Sequence, residues 1–351
     1  MALPSIRDVA NAAGVSTATV SRTLSSPEQV SEETRQTVMR AVQLTGYRVN
    51  RAARNLRKRQ SGEVLVLVPN LSNPFFSQIL AGIEKTFSGT DYNILIADSR
   101  GMKQGEDLLA EHLANTRADG IILLDGCVSP TVQKWLDKNA QRHHTVFACE
   151  WQDGTSLPVV QSNNREGAAM AIRYLHQLGH RQIAHVTGPL DNVLTRVRRE
   201  GALEEYQRLQ LPINPDWIIR GDFSLNAGHR AAQQIIAMTE RPSAVFCASD
   251  QIAFGLISGL YQAGLRVPED ISVMGFDDIE LSEFYIPRLT TIRQNRPILG
   301  ATAAQLVLDR LNGNASKETT TQLIEVELIV RDSCAAHLPS LHLELGRPNT
   351  I

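Results

Sequence analysis

Seven short apolar runs between residues 63 and 276 constrain the fold of this chain most. They lie at 63–69 (EVLVLVP), 93–98 (NILIAD), 120–125 (GIILLD), 144–149 (HTVFAC), 182–187 (QIAHVT), 244–249 (AVFCAS) and 271–276 (ISVMGF). Amphipathic stretches separate them, among them 76–88, 102–115, 166–179, 197–210, 226–239 and 251–264. Continuous apolar strands alternating with helices mean parallel sheets covered on both faces. With 351 residues, 42% of them apolar, the chain is long enough for two such sheets. Two further runs, 289–294 (LTTIRQ) and 323–331 (LIEVELIVR), fall where the chain would cross between them. Open parallel sheets bind ligands beyond the carboxyl ends of their strands, so a cleft between two such lobes is the expected pocket.

Residues before 63 follow a different pattern. Ile6, Val9, Ala10 and Ala13 recur at helical spacing, with Ser5 as N-cap and Asp8 in the first turn. Gly14 stands where a tight turn between crossed helices wants a residue free to take positive φ. Ser16 then caps a second helix that turns Val20 and Leu24 inward and leaves Thr17, Ala18, Ser21 and Arg22 outside. A third helix starts at Ser31, turns Val38, Val42 and Leu44 to the core, and ends at Gly46. This spacing predicts a helix-turn-helix whose second helix suits a DNA major groove.

Charge supports that division. Residues 1–60 hold ten Arg/Lys against four acids, although the whole chain is −2, so a basic head precedes an acidic body. The N-terminus lacks a charged start followed by an apolar run, and no stretch is long enough for a membrane helix. Cys127, Cys149, Cys247 and Cys334 form no CxxC pair, which predicts reduced thiols in a cytoplasmic protein, without metal or disulfide. The nine histidines show no ligand spacing and are expected at the surface or at strand edges. No P-loop, G-x-S-x-G or H-E-x-x-H motif is present, so neither an enzyme nor a cofactor is expected.

The segment IRDVANAAGVSTATVSRTLSSPEQVSEETRQTVMRAVQLTGYRVNRAARNLRKR resembles the head and hinge of the LacI/GalR family of bacterial transcription regulators. The resemblance extends over roughly residues 5–333. It implies an all-α helix-turn-helix head at 1–49, a hinge at 50–61, and a periplasmic-binding-protein-like α/β body of two doubly wound parallel-sheet lobes at 62–333, followed by a tail at 334–351. The first lobe is expected at about 62–161 plus 292–320, and the second at about 162–291 plus 321–333. By the same resemblance the chain is a homodimeric repressor of double-stranded operator DNA, controlled by a small-molecule effector, a sugar or nucleoside. A periplasmic-type solute-binding protein would explain the body but not the basic head. An α/β enzyme would need a motif that is missing.

Arg22 is the best candidate for a bidentate contact to guanine, and Thr17 and Ala18 sit at the family's other base-reading positions. Ser16, Thr19, Ser21, Thr34 and Asn50 are expected at phosphates, which position without specifying. In the hinge, Ala53 and Leu56 share one face among Arg54, Arg57, Lys58 and Arg59. AARNLR looks like the family's hinge helix, which implies that Leu56 wedges between base pairs in the minor groove.

The expected pocket residues all follow strands. They are Asn73, Phe75 and Phe76 in SNPFF, Glu150 and Trp151 in CEW, Phe223 in GDF, Ser249 in ASD, Asp277 in GFDD and Gln294 in TIRQ. Arg198, three residues before Gly201, matches the place where binding proteins of this type put a ligand arginine. Asp277 is expected to face the cleft opposite Arg198, so that the two fasten a ligand across both lobes. Aromatic faces ringed by hydrogen-bonding groups suit a polyhydroxylated ligand. The pattern looks most like the cytidine- and ribose-responsive branch, but Ser249 stands where Asn is common and Glu150-Trp151 where Asp-Arg is common. Glu150 also suits a ligand that carries an amine. The leucines of the tail are broken by Pro339, Gly346 and Pro348 and form no sustained heptad, so a dimer is expected.

Overall fold

The structure is a computed structural model and describes residues 4–47, 60–99, 111, 113–115, 118–139, 143–314 and 321–337. Asn50, Ala53, Leu56 and Arg57 of the hinge, most of the stretch 102–115, and the tail from residue 338 lie outside the described residues. The chain divides into two units, Met1–Gly62 and Glu63–Ile351.

In the first unit, helices α1 (Ile6–Ala13), α2 (Thr17–Ser25) and α3 (Glu32–Thr45) enclose Val9, Ala10, Val20, Val38 and Ala41. The backbone N–H and the hydroxyl of Ser5 both donate to Asp8 Oδ2, at 2.7 and 2.8 Å, and tie down the start of α1. Gly14 takes φ 67°, which closes the turn into α2 without the steric cost another residue would meet there. Ser16 accepts from Thr19 N–H at 3.1 Å and caps α2. Leu44, expected in this core, is instead 78% exposed. Helical spacing from Val38 favours Ala41 and Val42, and Leu44 lies on the opposite face of α3.

Among the described residues, the second unit holds two six-stranded sheets. The first contains β1 (Glu63–Val68), β2 (Asn93–Asp98), β3 (Gly120–Leu123), β4 (Val146–Ala148), β5 (Val159–Ser162) and β11 (Thr321–Ile324), in the order β11-β5-β4-β3-β1-β2 and parallel throughout. The second contains β6 (Ile183–Val186), β7 (Ile218–Ile219), β8 (Ala244–Cys247), β9 (Ser272–Asp277), β10 (Thr290–Gln294) and β12 (Val326–Ile329), in the order β12-β10-β9-β8-β6-β7. Its one departure from parallel pairing is β12, which runs antiparallel to β10. Helices α4 (Phe75–Phe87), α5 (Pro130–Asn139) and α11 (Arg296–Leu311) belong to the first lobe, where α11 packs on α4, β3, β4 and β5. The second lobe carries α6 (Asn164–Gln177), α7 (Val193–Arg208), α8 (Leu225–Ala237), α9 (Asp250–Gln262) and the short α10 (Leu281–Phe284).

Two expected lobe boundaries move. Residues 292–294 belong to β10 in the second sheet, and 321–324 form β11 in the first, so the crossings fall near residues 163, 295 and 325. The apolar run 323–331 hid the last crossing, because it carries parts of two strands that part at Glu325 into different sheets. Asn163 Nδ2 donates to Glu325 Oε2 at 3.2 Å, joining two of the crossovers. Two histidines are also buried rather than peripheral. His185 lies on β6 with its ring stacked on Phe246, and His180 contacts Ser243, Ser272 and the carbonyl of Ala335.

Candidate DNA-reading face and effector cleft

The outward face of α2 carries Thr17, Ala18 and Arg22, all exposed, beside a half-buried Ser21. Val20 and Thr23 turn inward and hold the helix against α1 and α3. The Ser16 and Thr19 hydroxyls hydrogen-bond each other at 2.9 Å, so both already serve the start of the helix. Thr34 N–H likewise donates to the Ser31 cap of α3. A short helix with small residues in its first turn and an arginine on its open face can enter a major groove and reach base edges.

The two lobes enclose a cleft of about 610 Å³. Its first-lobe wall comes from the loops after β1, β3 and β4, through Asn70, Asn73, Phe76, Asp125, Cys127 and Glu150. Its second-lobe wall comes from the loops after β6, β7 and β8, through Asp191, Asn192, Asp222, Phe223 and Gln251. All stand at the carboxyl ends of parallel strands. Three second-lobe helices start beside these loops, capped by Asn192, Ser224 and Ser249. Their amino ends give this side of the cleft a partial positive charge. Asp222 accepts from Arg230 at 3.0 Å, and Asp125 accepts from the Cys127 N–H at 2.9 Å. Glu150 Oε2 accepts from Gly126 N–H at 3.1 Å.

Of the ten pocket residues expected from the sequence, Asn73, Phe76, Glu150 and Phe223 line the cleft. Phe75 is buried in the first-lobe core, edge-on to Phe76 at 5.1 Å. Trp151 lies against Gly126, where its backbone leaves no room for a side chain. Ser249 caps α9. Arg198, Asp277 and Gln294 are buried in the second lobe and are not among the residues that line the cleft, although the Arg198 guanidinium stands 6.0 Å from the ring of Phe223, which does. The expected fastening of a ligand across both lobes by Arg198 and Asp277 is therefore corrected, since α7 and β9 belong to the same lobe. Arg198 donates to Asn164 Oδ1 at 2.8 Å and to the Ala248 carbonyl at 2.5 Å. Gln294 Nε2 donates to Asp277 Oδ1 at 2.7 Å.

Beside this group, Asp250 accepts from Ile279 N–H, Ser282 Oγ and Thr291 Oγ1, at 2.9, 2.7 and 2.6 Å. Burial raises both the Asp250 and the Asp277 carboxyl. For Asp250 the neighbouring Asp277 charge adds to the effect, while Arg198 and Arg296 oppose it at Asp277. Burial also holds the Cys149 and Cys247 thiols well above their ordinary range.

Sequence reasoning missed Asn70, Asp125, Asp191, Asn192, Asp222 and Gln251. A signal was present for Asp125, the last residue of the run GIILLD, and for Asp222, one residue before the expected Phe223. The loop carrying Asp222 follows β7, a two-residue strand too short for any periodicity to reveal.

A helix-turn-helix unit joined to a two-lobed body with a polar, aromatic-walled cleft is the build of a ligand-controlled DNA-binding regulator. Residues 5–50 match the bacterial regulatory proteins of the lacI family, and residues 172–334 match the periplasmic binding protein-like domain. The HTH-type transcriptional repressor CytR of Escherichia coli is 37% identical over 94% of this chain and 96% of its own length. The repressor PurR of Vibrio cholerae is 34% identical over 94% of this chain and 98% of its own. Among solved structures, a Lac repressor dimer bound to operator and an anti-inducer aligns with TM-score 0.80 and 31% identity, covering 95% of this chain and all of that one. The chain belongs to the lacI family. It is a DNA-binding transcription repressor regulated by a small-molecule effector, and it is not an enzyme. No helix among the described residues is long and apolar enough to cross a membrane.

Proposed function

We propose that the cleft is the effector site, that its ligand is a nucleoside or a pentose-like sugar, and that the repressor acts in the cytoplasm as a homodimer on a pseudo-palindromic operator. The observation that carries the ligand reading is that one aromatic side chain from each lobe, Phe76 from the first and Phe223 from the second, lines the cleft among amides and carboxylates. Flat aromatic faces suit a base or a sugar ring, and acceptor-rich walls suit its hydroxyl and amino donors. A lacI-family regulator from Enterococcus faecium has been solved with ribose, at 29% identity and TM-score 0.70, which supports the same class.

The switch is linkage. A ligand that binds one lobe arrangement better than another shifts the population toward it, and DNA affinity follows the population. Leu281, Phe284 and Ile286 form an exposed apolar strip at and beyond α10, and a second copy of the chain is the partner that would bury it. The test is a thermal-shift screen of cytidine, uridine, adenosine, ribose and related sugars, followed by gel shifts on DNA selected with the full-length protein. A compound in this class should raise the melting temperature and change operator affinity. If only compounds outside the class do so, the ligand reading is wrong.

A further inference from the structure

The lobes also touch at two residues that the ligand reading does not use. Asp153 follows β4 in the first lobe, and Arg196 lies in the first turn of α7 in the second. Arg196 Nη2 donates to both carboxylate oxygens of Asp153, each at 2.7 Å. Glu200, one turn further along α7, accepts from Arg196 Nη1 at 3.3 Å and steadies the guanidinium from its own lobe. Two longer contacts join the same lobes: Gln251 Nε2 to Asn73 Oδ1 at 3.4 Å, and Cys127 Sγ to Asp191 Oδ2 at 3.6 Å. None of these four residues and neither member of the ion pair belongs to the three crossovers. These contacts must therefore break when the lobes move apart.

We propose that Asp153 and Arg196 form a clasp that holds the lobes in the arrangement seen here and so sets how often the empty cleft opens. This goes beyond the effector reading and rests on it only in taking the cleft as the ligand site. Both side chains keep part of their surface in water, with 68% of Asp153 and 43% of Arg196 exposed. The clasp is therefore weak and salt-sensitive, and losing it shifts the equilibrium about two- to five-fold. A population shift of that size changes effector and operator affinity by a bounded factor without altering a single ligand contact.

The test needs no effector. Cys127 lines the cleft at a point where the lobes meet, so its alkylation by iodoacetamide reports opening. Cys334 sits in the second lobe, its thiol pushed up to about 12 by burial, and reports general loosening. Rates at both thiols are read by peptide mass spectrometry on the full-length protein, for wild type, Asp153→Asn, Arg196→Gln and the double variant. The clasp predicts a two- to five-fold faster reaction at Cys127 in each single variant, with Cys334 unchanged. The double variant should be no faster than either single one, because both remove the same contact. Molar salt should speed Cys127 in the wild type and not in Asp153→Asn. Unchanged rates at Cys127, additive effects in the double variant, or a parallel rise at Cys334 would each overturn the proposal. A failed ligand screen would count against the effector reading and leave this result untouched.

Discussion

The Arg198 guanidinium lies 3.8 Å from Asp277 Oδ1, with both side chains drawn from the second lobe and closed off from solvent. The same guanidinium centre stands 3.8 Å from the middle of the Phe276 ring. The pair is thus built into the interior of the second lobe. Arg198→Ala leaves the Asp277 carboxylate buried beside an empty site, at a cost of about 3–5 kcal/mol. Asp277→Asn keeps its shape, its bond from Gln294 and the stacking of Arg198, so the fold should survive while the effector response weakens. Urea unfolding of both variants, with operator gel shifts in the presence and absence of the screened ligand, checks this. An Arg198→Ala protein as stable as wild type would show that the pair does not hold the lobe together.

Arg22 stands exposed on the open face of α2, and Arg7 on the solvent side of α1. As a base contact, Arg22→Ala should cost about 1–3 kcal/mol at one operator base pair and relax the preference there. As a phosphate contact, Arg7→Ala should weaken all sequences alike and flatten the salt dependence. Binding to a set of singly substituted operators separates the two roles. An equal loss on every sequence would make Arg22 a phosphate contact. Leu56, outside the described residues, remains the proposed wedge: Leu56→Ala should reduce DNA bending in circular-permutation gels and leave ligand binding intact.

Burial lowers His185 from 6.5 to about 4. The unfolded chain therefore takes up a proton at this site between those two values while the native state does not. The stability His185 contributes is fully present above pH 6.5 and is lost as the pH falls toward 4. Its Nδ1 lies 3.0 Å from the Phe246 carbonyl, a bond the amide of Asn could partly keep. His185→Asn should thus lower stability at pH 7.5 and flatten its decline toward pH 4. Urea midpoints across that range check the prediction, and parallel curves for the two proteins would contradict it.

Gly275 lies in the middle of β9, where a Cβ would overlap Asp250 Oδ1 and crowd Leu289 at 2.8 Å. Gly275→Ala should displace Asp250 from Ile279, Ser282 and Thr291 and cost about 1–3 kcal/mol. Chemical denaturation measures it. A neutral effect would mean that the Asp250 network can shift as a body.

Much of this protein was legible without a structure because local patterns carry it. Val9, Ala10 and Val20 at helical spacing, Gly14 at the turn and Ser16 at the cap each state a helix-turn-helix within a few residues. The apolar runs from Glu63 onward state parallel sheets, since strands buried on both faces have no polar side to show. Local pattern also led astray where a neighbour distant in sequence decides. Glu325 divides one apolar run between two sheets, and only strand pairing reveals it. Phe75 and Phe76 are adjacent, chemically alike and buried in the same core, yet only Phe76 also lines the cleft, because α4 turns them to different sides. Arg198 and Asp277 stand 79 positions apart, and nothing in either segment tells that they meet inside one lobe. The sequence by itself determined the kinds of elements, their order and the strand ends where a ligand could bind, since those follow from periodicity and capping. Which side chains stand in the cleft, which lie paired in the interior of a lobe and which bridge the lobes was decided only by tertiary packing. Burial and charge pairing there depend on contacts that no local stretch of chain contains.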